Sequence, residues 1–457
     1  MEKKKGLPFF KKAIYGSGNL AANLMNCTVG AYISFYYTDV AGIPIAAAGL
    51  IMVLCKLVDA VTDLLMGVIV EKTNTKYGKA RPWLLWMAIP FGISVFLMFY
   101  SPSWGVTGKI IFAAATYMAG ISLVYTAISV PFNTLSVLIT NTPEDRTDLA
   151  TMRQFFGFVG PLIITSISMP IVNALGGGQS AWSVLAGAYG IIGTIIYLLV
   201  FFTTKEIDDV PVGAEKEKEK KVPISVGLKA LFKNKYWLMV LAVSIFIFIR
   251  SGIASGILVY YSQYVLGNSN YYTPLAMATM LPTIVCCFFV PKLAEKYGKR
   301  NLSIVGLVIS VIGTLFMLIG TENVTILVIG TIISSIGIAP ISICVFAMIG
   351  DTVVYGEWKN GFRNDGLGFS AVTFAEKVGT AVGSGVASLA LAVGGYVGGV
   401  AIQSGSAIFS MKLCLILAPV ILCIALMIVL KYYKLDAEIS KITEDLAAGK
   451  TEKDTQI

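Results

Sequence analysis

Apolar runs of about 20 residues or more recur along this chain, each long enough to cross a hydrocarbon core of about 30 Å as a helix. Inside a membrane a backbone must satisfy its own N–H and C=O groups, so such a chain folds as a bundle of helices. Twelve runs are expected, at about 13–37, 43–70, 82–100, 108–139, 149–175, 181–203, 236–265, 271–292, 301–320, 324–350, 366–397 and 406–431. With 56% hydrophobic and 13% charged side chains among 457 residues, the composition lies far from that of soluble domains. The first run is preceded by Lys3, Lys4, Lys5, Lys11 and Lys12 and has no small-residue cleavage site at its far end. It reads as a retained helix rather than a signal peptide.

Basic residues collect on alternate connections. One set carries the N-terminal lysines, Lys72, Lys76, Lys79, Arg81, Arg146, the 205–235 stretch, Lys292, Lys296, Lys299, Arg300, Lys359, Arg363 and the tail, whereas the other has little beyond Lys109 and Lys412. The positive-inside rule puts the first set, with both termini, in the cytoplasm, as an even number of crossings requires. The net charge of +9 is then a topology signal and needs no nucleic-acid partner. All seven cysteines lie in expected helices and the chain has no histidine, so disulfides, zinc sites and cofactors are not expected. Proton chemistry falls to carboxylates.

The longest polar interruption before the tail, 203–235, contains Glu215-Lys216-Glu217-Lys218-Glu219-Lys220-Lys221 and splits the chain near its middle. Around it, Glu71-Lys72 with Tyr77-Gly78-Lys79 is echoed by Glu295-Lys296-Tyr297-Gly298-Lys299-Arg300. The expected organisation is a six-helix bundle over 1–203, a cytoplasmic linker over 204–235, a second six-helix bundle over 236–431 and a cytoplasmic tail over 432–457 that reads as a solvated helix and frayed end. This all-α layout of twelve helices in two halves resembles the major facilitator superfamily, whose sites lie at the membrane midplane.

Lys56, Asp59 and Asp63 share one helical face within the apolar run 46–70. An ionised Asp or Lys at mid-membrane costs about 2.5–3.5 kcal/mol on an insertion scale, so this stripe needs partners or a polar cavity. Arg153, Arg250, Glu376 and Lys377 also fall in expected spans. Two carboxylates four residues apart repel when both are ionised, and a bound Na⁺ or a proton relieves that repulsion. Thr62 and Thr126 can add the oxygen ligands a hard cation prefers. Lys377 is a candidate competing cation for the same carboxylates.

Asn19, Asn23 and Asn26, spaced by four and three, share a face of the first helix. Amides both donate and accept, as sugar hydroxyls require. Thr373 lies one turn before Lys377.

Asp59-Ala60-Val61-Thr62-Asp63, Tyr37-Thr38-Asp39, 67–82 and above all the 351–363 stretch with Tyr355-Gly356-Glu357-Trp358-Lys359 resemble the glycoside-pentoside-hexuronide:cation symporters. The resemblance implies a coupling-cation site at Asp59, Asp63 and Thr126 with Lys377 nearby, a sugar-site arginine at Arg153 and a sugar-proximal Thr373. It places Asn23, Ser129 and Asn133 where melibiose-transporting members carry two aspartates and a tryptophan, and Thr62 where they carry an amide. The stretch 74–79 is similar to the glucuronide-transporting branch.

The expected activity is thus secondary active symport of a small glycoside with H⁺ or Na⁺ across the bilayer of a bacterial inner membrane, by a monomer. Lys56, Arg153, Arg250 and Lys377 exceed Asp59, Asp63 and Glu376 by one positive charge, which favours an anionic sugar such as a glucuronide gripped by Arg153. A sulfonated sugar fits the same argument. A neutral xyloside or galactoside fits if Lys56 and Arg250 serve structural pairs. On that account the substrate-binding set is Asn23, Asn26, Ser129, Asn133, Arg153, Arg250, Thr373 and Lys377, with Lys56, Glu376 and Lys377 balancing charge. Asp59 and Asp63 become metal ligands only under Na⁺ coupling. An ion channel or a transport-fold receptor is the alternative of a different class. An enzyme is not expected, because the two carboxylates sit on one helix beside a lysine rather than flanking a glycosidic bond.

Overall fold

The computed structural model describes residues 7–140, 142–207, 224–362 and 365–448. The charged run at 215–221, Arg363 and the end of the tail lie outside them. The regular elements are helices. In chain order they are α1 Phe9–Phe35, α2 Ile45–Lys72, α3 Arg81–Met98, α4 Val106–Ser136, α5 Pro143–Ala174, α6 Gln179–Thr203 and α7 Ile224–Lys233. There follow α8 Lys235–Tyr264, α9 Tyr272–Tyr297, α10 Lys299–Phe316, α11 Val324–Asn360, α12 Asp365–Val393, α13 Gly405–Tyr432 and α14 Leu435–Ala447. Among the described residues ten helices are long and apolar enough to cross a membrane, and each falls on an expected run. The 27-residue α1 and the 29-residue α12 stand at the two remaining runs.

Two expectations are corrected. The run expected to close near 350 continues as helix to Asn360, where Gly361 adopts φ +73. Asp351 is therefore a helical residue, and it pairs with Lys299 at the start of α10. In the tail, α14 is the helix expected there, but it is docked rather than solvated. Leu435 and Ile442 of α14 are buried in one core with Tyr236, Met348 and Tyr355, and the Tyr236 hydroxyl donates to Glu438 at 3.2 Å. Leu435, Ile439, Ile442 and Leu446 recur at helical spacing, so α14 offers an apolar stripe that burial stabilises.

By contact the chain divides into two compact units, one of 1–215, 262–273 and 388–408, the other of 216–261, 274–387 and 409–457. In the first, α3 and α6 meet so closely that a Cβ on Gly190 would lie 2.5 Å from the Gly92 carbonyl oxygen. Thr194 of α6 donates to the Ala88 carbonyl of α3 at 2.8 Å. Small residues let helices approach where lipid offers no hydrophobic drive to pair. The Lys12 ammonium holds Asp145 and Asp148 of α5 at 2.6 Å each, at the start of α1. In the second unit a Cβ on Gly337 of α11 would stand 2.2 Å from the Ser310 backbone nitrogen of α10.

The internal sequence echo has a structural counterpart inside each unit. The Glu206 carboxylate accepts the backbone N–H groups of Lys79, Ala80 and Arg81 at 2.7, 2.9 and 2.8 Å. The Arg81 guanidinium donates to the Phe201 carbonyl at 2.8 Å. In the second unit Asp436 accepts the Arg300 N–H at 2.8 Å, and the Arg300 guanidinium donates to the carbonyls of Leu430 and Lys431, both at 2.8 Å. Gly78 and Gly298 open the two turns at φ +103 and +82, a region that favours glycine.

Candidate functional site

The acidic stripe of α2 faces α4. Ser122 donates to the Cys55 carbonyl at 2.9 Å, and one turn further on Thr126 meets both Asp59 and Asp63. Cys55, Asp59 and Asp63 are spaced by four, as are Ser122 and Thr126, so the two helices touch turn by turn. Residues Met118–Tyr125 form a π-helical stretch. Such a stretch holds an extra residue per turn and turns the following face.

The Thr126 hydroxyl oxygen lies 3.0 Å from Asp59 Oδ1 and 2.9 Å from Asp63 Oδ1. Thr126 is 2% exposed and Asp59 8%; Asp63 is half-buried. A hydroxyl carries a single hydrogen and donates to one acceptor at a time. The second carboxylate oxygen then faces lone pairs on Thr126 unless it carries a proton or shares a cation with them. Thr62 turns its hydroxyl onto its own helix, donating to the Asp59 carbonyl at 3.0 Å. Lys56 lies half-buried one turn before Asp59.

A second polar group of the first unit gathers on α1, α4 and α5. The Arg153 Nη1 donates to Asn133 Oδ1 at 2.9 Å, and Asn19 Nδ2 donates to the Arg153 carbonyl at 2.9 Å. A Cβ on Gly160 would stand 3.1 Å from Asn23 Nδ2, so Asn23 also lies against α5. Cys27 donates to Asn23 Oδ1 at 3.4 Å. Asn26 is exposed, and Ser129 is half-buried one turn beyond Thr126.

The remaining candidates belong to the second unit. Arg250 lies in the middle of α8 and its Nη2 donates to Ser334 at 3.0 Å. Ser334 shares hydroxyl hydrogen bonds of 3.0 Å with Ser310 and Thr314. Thr373 and Glu376 are exposed and Lys377 is half-buried on α12. Among the described residues neither Arg153 nor Arg250 meets a carboxylate at ion-pair distance. Both guanidiniums are held by neutral groups.

Ser122 and Asn19 are the contacts that the spacing of charges did not single out as site residues. Asn19 stands on the amide face already evident in α1, and Ser122 lies four residues before Thr126.

A family model of MFS/sugar transport proteins matches residues 14–437. The chain belongs to that family. Within this sugar-transport family it is 31% identical over 450 residues to the isoprimeverose transporter of Lactiplantibacillus pentosus, covering 97% of this chain and 92% of that one. It is 26% identical to a glucuronide carrier protein homolog of Escherichia coli strain K12, over 92% of this chain and 91% of the other. A putative sulfoquinovose importer of the same strain is 27% identical, over 91% and 88%. The family is that of the glycoside-pentoside-hexuronide:cation symporters, membrane transporters rather than enzymes. The crystal structure of the nucleoside transporter NupG aligns with a TM-score of 0.64 at 15% identity, over 92% of this chain and 99% of that one. That likeness gives the major facilitator fold.

Proposed function

We propose that this sugar-transport family member is a symporter in which one monovalent cation or proton at Asp59, Asp63 and Thr126 drives inward movement of an anionic glycoside by alternating access. The observation that carries the coupling half is the single Thr126 hydroxyl set against two carboxylates. An added positive charge there stabilises both carboxylates at once. With both termini in the cytoplasm by the positive-inside rule, the cation descends from the extracytoplasmic side.

The anionic cargo rests on Arg153, a half-buried guanidinium of α5 whose side-chain acceptor, Asn133, is neutral. A guanidinium binds an anionic oxygen more strongly than a neutral acceptor, and can do so bidentately. A glucuronide carboxylate or a sulfonate supplies one, and relatives named for glucuronide and for sulfoquinovose support that chemistry. A neutral disaccharide is the second reading, favoured by the 31% identity to a transporter named for isoprimeverose. Competition for uptake by a glucuronide, a sulfonated sugar, a xyloside and an α-galactoside separates them. The anionic reading expects the first two to compete best and to lose that advantage in Arg153→Ala; a neutral winner indifferent to Arg153 overturns it.

A further inference from the structure

The first unit contains a cavity of about 510 Å³ at the end of α1 opposite Lys12, within the range of about 300–1,000 Å³ usual for small-molecule sites. Its walls include Asp39, Asn173, Trp182, Gln263, Tyr264 and Ser269. At 1.5 Å per residue the 27-residue α1 sets this mouth about 40 Å from its first turn. The Asp59–Asp63–Thr126 group and the Arg153–Asn133 pair are not among its lining residues.

Asp39 is already satisfied. Tyr264 and Tyr396 donate their hydroxyls to it, the latter at 2.6 Å, while Thr38 donates at 2.6 Å and the Gly399 N–H at 3.4 Å. The carboxylate therefore braces the wall, fixing Tyr264 against the cavity. Other polar groups have capacity left. Trp182 is 1% exposed, its ring stacked on Phe99, and its Nε1–H has no acceptor among the described residues. Asn173 spends its amide hydrogens on Ser269 and Asn270 at 2.9 and 2.7 Å, which leaves its carbonyl oxygen as an acceptor. The half-buried Gln263 amide brings both a donor and an acceptor.

We infer that this cavity is a second binding site, for a neutral polyhydroxylated ligand such as a pyranoside, on the extracytoplasmic side of the carrier. A buried indole N–H, a one-sided amide carbonyl and a two-sided amide form a mixed set, and adjacent sugar hydroxyls each donate and accept. No lysine or arginine lines the cavity, so it has no grip on a carboxylate or sulfonate. A glycoside would be held here by its hydroxyls before reaching Arg153. The extracytoplasmic placement and the contrast with Arg153 rest on the proposed function; the ligand chemistry does not.

The test is equilibrium dialysis of the purified full-length protein against radiolabelled methyl β-xyloside, in native protein and in Arg153→Ala, Trp182→Phe and Gln263→Ala. Trp182→Phe keeps an aromatic ring against Phe99 and removes the N–H together with the rest of the pyrrole ring. Gln263→Ala alters a half-buried wall residue, so a folding defect in one variant does not decide the result. The expected outcome is a bound fraction that survives Arg153→Ala and weakens tenfold or more in both other variants. Loss of all bound xyloside in Arg153→Ala, or binding unchanged in Trp182→Phe and Gln263→Ala, overturns the inference. Xyloside binding that survives Arg153→Ala keeps this site whether or not Arg153 grips an acidic sugar, so failure of the Arg153 reading and failure of this site are told apart.

Discussion

Thr126 of α4 stands 2.9 Å from Asp63 of α2, and the same hydroxyl lies 3.0 Å from Asp59. One hydrogen cannot serve both carboxylates at once, and a positive charge placed between them would ease their mutual repulsion. On the proposed function, this acidic stripe responds to ion occupancy.

Thr126→Val keeps the shape and removes the oxygen. A hydrogen bond to a charged group is worth about 1.5–3 kcal/mol, which corresponds to about a 10- to 150-fold loss in apparent affinity for the coupling ion. Glycoside uptake measured against ion concentration should show the midpoint shifted by that factor. Thr62→Val should shift it by less than about threefold, since the Thr62 hydroxyl is turned onto the Asp59 carbonyl.

Much of this site was legible because membrane burial makes charge expensive and helical spacing shows which charges share a face. Asp59 and Asp63 stood out for both reasons, and the apolar run lengths marked the helices. The Thr126 contact also depends on the π-helical stretch at Met118–Tyr125, which leaves no mark in composition. The direction of the Thr62 hydroxyl and the approach of Asn19 to Arg153 depend on rotamer and helix rotation, which spacing does not fix. The extension of α11 to Asn360 was hidden because hydropathy marks where a helix leaves lipid, not where it stops.

Arg153→Ala leaves Asn133 Oδ1 without its 2.9 Å donor and, on the proposed function, removes the bidentate partner of an acidic sugar. Glucuronide competition for uptake should weaken by tenfold or more, whereas xyloside competition should change by less than about threefold. Equal losses for both would remove the charge-based selectivity.

Glu206 caps three backbone amides at once. Glu206→Ala uncaps the 79–81 turn, and Gly78→Ala drives a Cβ to 2.3 Å from the Glu206 carboxylate at φ +103. Each should cost about 1–3 kcal/mol of stability, read as a lower Tm of the purified protein. Asp436→Ala should act in the same direction through the corresponding turn of the second unit.

The tail is a structural element. Leu435 is fully buried, and a buried Leu→Ala change costs about 2–5 kcal/mol. Leu435→Ala should lower Tm clearly, while Lys441→Ala, on an exposed side of the same helix, should not. A Tm unchanged by Leu435→Ala would mean that α14 is not docked in solution.

The most direct measurement is accumulation of a labelled glycoside in proteoliposomes under an imposed H⁺ or Na⁺ gradient, for native protein, Asp59→Asn and Asp63→Asn. Uphill accumulation should occur in native protein, vanish when the ion gradient is collapsed, and be absent in both variants while downhill exchange of sugar persists. Undiminished uphill accumulation by either variant would contradict the assignment of the coupling ion to Asp59, Asp63 and Thr126.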